Sequence, residues 1–262
     1  MMPDEIIRIR NASYAEYEEM LMRRDEYSKE AFLIQQKYIR TFGQLILDVF
    51  KLKIECIRKK KTIEYCQAFI NRGESIDHDA LRDFLKKEME EYNARLDRMI
   101  RDHENAKDTQ RITEADRLEI KRIYHRMVKK LHPDVNPLVK ESHELGELWL
   151  KLTIAYKCND LKSMKETEIL INAYIDKNGP EYSEIEIPDI EDKIKEVKEE
   201  TEKIKSTDPY QYKYLLEDPE AVELKKTELK NELKEYEDHS KELETILTGY
   251  AAKGVTFTWR MN

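Results

Sequence analysis

Apolar residues recur along most of the chain at steps of three and four, the spacing that gathers them on one face of a helix. From Phe42 they fall at Leu45, Val49, Leu52, Cys56, Ile63, Cys66 and Ile70, with one charged gap near Lys59, which reads as a coiled-coil seam. The upstream stretch from Ser13, with Met20, Tyr27, Ile34 and Tyr38, extends this helix, and Gly43 is its expected kink point. Gly73 ends the run, and Asp77 offers the cap of a next helix over 78–108 that carries Leu81, Leu85, Tyr92, Leu96 and Met99. The matched lengths of 42–72 and 78–108 predict an antiparallel hairpin.

Thr113 and Asp116 form a capping pair for a helix whose buried stripe is Ile120, Ile123, Met127 and Leu131, closed by Pro133. Ser142 opens a helix holding Trp149 and Tyr156, and Asn159-Asp160 breaks it. Leu161, Met164, Ile169, Ile171 and Tyr174 mark another, which Gly179-Pro180 stops. After a linker over 181–188, Ile190, Ile194, Val197 and Ile204 mark a short helix, and Pro209 and Pro219 bound a loop. A long helix with Val222, Leu229, Leu233, Tyr236, Leu243, Leu247 and Tyr250 at near-heptad spacing runs to Gly254. Only Val255-Thr256-Phe257-Thr258-Trp259 reads as a strand. The expected fold class is all-α, with elongated coiled-coil-like hairpins flanking a small helical domain. The expected divisions are a long-helix hairpin arm over 1–108, a central domain over 109–179, and a C-terminal helical hairpin arm with a short tail over 180–262.

One helix carries unusual chemistry. Between Ile120 and Leu131 the polar positions include Lys121, Arg122, His125, Arg126, Lys129 and Lys130, with no acidic residue among them. Exposed helices are commonly stabilised by Glu–Lys pairs four residues apart, so an acid-free basic face points to an acidic partner rather than to solvent. Proline at 133 biases His132 towards extended backbone, so the helix delivers His132-Pro133-Asp134 to an exposed loop.

The run Ile120, Lys121, Arg122, Tyr124, Arg126, Met127, Lys130, then His132-Pro133-Asp134 and Asn136, resembles the second helix and His-Pro-Asp loop of a J-domain. J-domains are the DnaK-activating modules of DnaJ-type co-chaperones. Trp149-x-x-Leu152-x-x-Ala155-Tyr156 is similar to the third helix of that family, so the resemblance spans 112–178. Three features depart from the family pattern. The Tyr-x-x-Leu-Gly signature of a first helix is absent, Val135 follows the aspartate where Lys or Arg is usual, and Leu131 replaces a common Tyr. The end of the preceding helix, with Leu96, Met99 and Ile100, is the expected substitute for the first helix.

The resemblance implies a role for each part. The face formed by Lys121, Arg122, Tyr124, His125, Arg126, Lys129 and Lys130 would dock on an acidic surface of a DnaK-class ATPase. Asp134 would offer its carboxylate to an arginine of that partner, Pro133 would hold the loop, His132 would orient the aspartate, and Asn136 would complete the motif. None of these residues performs chemistry; ATP is hydrolysed in the partner, and the coupling is allosteric. The chain is thus expected to be a co-chaperone and not an enzyme, with arms that bind client proteins or a cellular target. The heptad stripes fit pairing within one chain or in a homodimer. The alternatives are a coiled-coil scaffold whose J-like domain is inactive and a nucleic-acid-associated protein that uses the basic helix.

Composition adjusts this picture only at the edges. Charged residues make up 39% of 262, with six Gly and seven Pro, which favours long solvent-washed helices over a loop-rich α/β enzyme. A net charge of -8 disfavours general nucleic-acid binding and sets the basic helix apart from the rest of the chain. Cys56, Cys66 and Cys158 sit at apolar helical positions and read as buried free thiols of a reducing, cytoplasmic compartment. The scattered histidines give no metal-ligand spacing. No phosphate-binding glycine loop or zinc-binding cysteine repeat suggests a cofactor, and no apolar run suggests a membrane span.

Overall fold

The computed structural model describes residues 3–107, 112–134, 136, 138–178 and 189–251. Among these residues the fold is all-α, with helices joined by turns and short loops and no strand. The proposed strand at Val255 to Trp259, Val135 and the Gly179-Pro180 stop lie outside the described residues. No helix among the described residues is long and apolar enough to cross a membrane.

The first helix, α1 (Pro3–Arg72), runs for 70 residues without interruption. Its end is set by local chemistry. Gly73 takes φ +70°, its N–H bonds to Ile70 O, and the Glu74 N–H reaches Phe69 O, so two terminal carbonyls are satisfied. Contacts divide the chain into two compact units, Met1–Gln36 with Thr109–Tyr214, and Lys37–Asp108 with Leu215–Asn262. Helix α1 contributes to both.

In the second unit, Asp77 caps α2 (His78–Glu88), its side chain accepting from the Asp79 and Ala80 N–H groups, as its sequence position suggests. A break at buried Met89 separates α2 from α3 (Glu90–Lys107), where the sequence pattern predicted one helix. The expected antiparallel hairpin with α1 is present. Tyr65 packs tilted against Phe84 (5.1 Å), Arg95 lies over Phe50 (5.1 Å), and Gly43 faces His103. The helix continues through Gly43. Its missing Cβ is what admits His103, because a Cβ there would lie 2.6 Å from His103 Nδ1.

The last helix, α10 (Pro219–Ala251), starts with proline at its first position, where the missing N–H costs nothing, and Asp218 accepts from the Glu220 and Ala221 N–H groups. It runs parallel to α1. Cys56 Sγ donates to Tyr236 O, Lys59 reaches Ser240 Oγ (2.9 Å) and Glu244 (2.8 Å), and Tyr250 bonds Gln67. The charged gap at Lys59 is therefore a polar knot inside the seam and not a break in it.

The first unit holds α4 (Glu114–Leu131), α5 (Leu138–Glu141), α6 (His143–Lys157), α7 (Leu161–Asn178), α8 (Ile190–Ser206) and the start of α9 (Tyr212–Glu217). Thr113 caps α4 through the Asp116 N–H, and Ser142 caps α6 through the Leu145 N–H. At the end of α6, Asn159 takes φ 57°, and Asp160 N–H bonds Ala155 O before its carboxylate caps α7 at Ser163. One core joins Ile120, Ile123, Met127 and Leu131 of α4 with Leu148, Leu152, Ala155 and Tyr156 of α6 and Met164 and Ile171 of α7. Ile169, expected on that face, is 67% exposed. A second, smaller cluster pairs Tyr17 and Leu21 of α1 with Ile194 and Val197 of α8.

Leu96, Met99 and Ile100, expected as cover for the α4–α6 hairpin, belong to the other unit and are not part of the hairpin core. That place is taken by the early part of α1, whose Met22 packs on the hairpin core.

Candidate functional site

The end of α4 is shaped by its own short-range bonds. His132 leaves the helix in extended geometry (φ −63°, ψ 126°) while its N–H still reaches Val128 O. Asp134 N–H then donates to His132 Nδ1 (3.2 Å), and Asn136 N–H donates to His132 O (2.7 Å). The Asn136 amide turns back to cap Lys130 O (3.0 Å). The His132 ring meets Trp149 of α6 edge-on at 5.1 Å. His132, Asn136 and the Asp134 N–H thus fix the loop, and the Asp134 carboxylate is left outside these bonds. The histidine and Asn136 are buried, at 3% and 2%, where the sequence suggested an exposed tripeptide. Pro133 and Asp134 are half-buried.

Asp134 is the outward-facing group, and cations surround it. Lys140 lies 3.3 Å from Oδ1, and the Arg24 guanidinium of α1 lies 3.6 Å from Oδ2. Burial alone would raise its pKa, but His132, Arg24 and Lys140 outweigh that and hold it below the usual carboxylate range. His132 moves down, because burial disfavours its cation more than Asp25 and Asp134 favour it. Burial also opposes the Arg24 charge, yet Asp25, Asp134 and Glu200 leave its pKa raised.

Of the α4 residues assigned to the basic face, four meet acids or a polar partner of α1. Lys121 and His125 share Glu26 (2.7 and 3.1 Å), Lys129 meets Glu18 (3.1 Å), and the Tyr124 hydroxyl donates to Asp25 (2.7 Å). Tyr124 is 1% exposed and stacks on Tyr156 at 3.8 Å, so in this structure it is core and not surface. Lys29 of α1 sits 3.9 Å above the Tyr156 ring, its pKa pushed down to about 8 by burial and by Arg117. The rest turn towards α7 or solvent: Arg126 makes a forked pair with Glu168 (2.9 and 3.1 Å), Lys130 bonds Asn172 (3.0 Å), and Arg122 is exposed.

The site gathers its motif residues at one end of the hairpin. What sequence reasoning missed is the lining from α1: Glu18, Arg24, Asp25, Glu26 and Lys29. The available signal was charge complementarity, since Glu18, Asp25 and Glu26 recur at steps of seven and one, and the 120–131 stretch of α4 has no acid. No family model matches the chain, and neither a curated protein nor a solved structure matches it.

Proposed function

We propose that this protein is a J-domain co-chaperone: it binds a DnaK-class ATPase through α4 and the His132-Pro133-Asp134 loop and stimulates ATP hydrolysis in that partner. The observation that carries the reading is the state of Asp134. A buried, internally bonded loop holds this one carboxylate outward, ionised, and already engaged with a guanidinium. That is the geometry for a charge-assisted pair with an arginine of a partner. The flanking basic residues of α4 would steer and register an acidic surface. In this reading the protein supplies no catalytic group, and the long helices hold a client or a cellular target in the cytoplasm.

One observation favours a second reading, an inactive J-like domain in a helical scaffold: Tyr124 and His132 lie under α1. Single-turnover ATP hydrolysis by DnaK-class chaperones separates the two. Stimulation by the wild-type chain that His132→Gln and Asp134→Asn abolish supports the co-chaperone. Equal rates with and without the chain, across several such chaperones, support the scaffold.

A further inference from the structure

The α1 segment over 18–29 touches α4 and its loop in the manner expected of a docked partner. Three acids, Glu18, Asp25 and Glu26, meet Lys129, Tyr124, Lys121 and His125, and one arginine, Arg24, meets Asp134. We infer that this segment is a resident ligand of the α4 face, presenting three acids and Arg24 to it, which a docking partner must displace. This rests on the co-chaperone reading and adds its regulation.

The two sides of α1 in this unit differ in a way that suits a latch. Towards α8 the contact has a buried apolar centre, Tyr17, Leu21, Ile194 and Val197, flanked by the Lys198–Glu16 and Arg24–Glu200 pairs. Towards α4 the contact is mostly charge on charge, with Met22 as the apolar exception. The Lys121 and Lys129 side chains remain 48% and 61% exposed, so their pairs are screened and individually weak.

The grip on His132 is also internally opposed. A neutral imidazole has one lone pair to offer, yet Asp134 N–H approaches Nδ1 and Arg24 Nη2 approaches Nε2 at 3.2 Å each. The loop's own bond and the α1 bond therefore compete for one acceptor. Separation along the polar seam leaves α1 on α8 and bares Tyr124 and Tyr156, the stacked pair now beneath it.

A face that is open only part of the time binds with an affinity reduced by the open fraction. The test measures single-turnover ATP hydrolysis by a DnaK-class chaperone as the full-length chain is titrated. Glu18→Lys with Glu26→Lys turns the seam repulsive; Glu19→Lys with Glu199→Lys makes the same charge change at exposed positions away from it. Arg24→Gln is a milder release variant should the double reversal fail to fold by circular dichroism.

The expected result is half-maximal stimulation at about five- to tenfold less of the release variant than of wild type or the control pair. Adding Asp134→Asn to the release variant abolishes it. If wild type, control and release variant stimulate alike, or the folded release variant stimulates less, the latch is overturned and the co-chaperone reading stands. If no folded variant stimulates, the co-chaperone reading fails, and the latch fails with it.

Discussion

His132 shows how one side chain can be required by a loop and still be a liability. Its ring anchors the Asp134 amide and packs on Trp149, but burial keeps it neutral. A histidine whose folded pKa lies below the unfolded 6.5 stabilises the fold fully above that value, and the contribution is lost as pH falls below it. Urea midpoints at pH 7.5 and pH 5 are expected to fall less in His132→Gln than in wild type. Parallel losses in the two proteins would show that the other histidines account for the slope. The cysteines carry a smaller correction to the sequence reading. Cys56 and Cys66 are buried free thiols as their positions suggested, but Cys158 is exposed in the turn that ends α6.

At the scale of elements, the parts legible in the sequence are those written in a few consecutive residues. The α4 stripe and the caps at Asp77, Thr113 and Ser142 follow from chemistry acting within about one helical turn. The missed parts involve pairs that lie far apart. Asp25 is 99 positions from Tyr124 and Arg24 is 108 from His132, and no local pattern selects one long helix over another as the cover. Leu96, Met99 and Ile100 were a reasonable candidate by sequence proximity alone. Gly43 teaches the same lesson, because a glycine in a helix looks like a weak point until the facing residue is known. Gly43→Ala is expected to cost about 1–3 kcal/mol by forcing His103 out of its place. In a His103→Ala background the same change should be nearly neutral. Equal costs in both backgrounds, read by chemical denaturation, would mean that His103 is not what the glycine accommodates.

At the scale of the whole chain, the 190–251 stretch supplies partners to each unit separately: α8 to Leu21 in one, and α10 to Cys56 in the other. Neither unit is a continuous segment, so each depends on contacts closed late in synthesis. A chain ending at residue 189 is expected to lose the protection of Cys56. In native wild type, a thiol reagent should label Cys158 first, and the truncation should add Cys56 to the fast class. Unchanged labelling of Cys56 would show that α1 and α3 shield it without α10.

The Arg24–Asp134 contact has a consequence at this scale as well. A ligand carried on the same chain is never diluted, so it acts at a fixed effective concentration whatever the abundance of the protein. On the latch reading, a competitor engages the loop only where its own local concentration exceeds that internal reference. The protein would then respond to crowding of its partner at one place in the cell, rather than to the partner's average level.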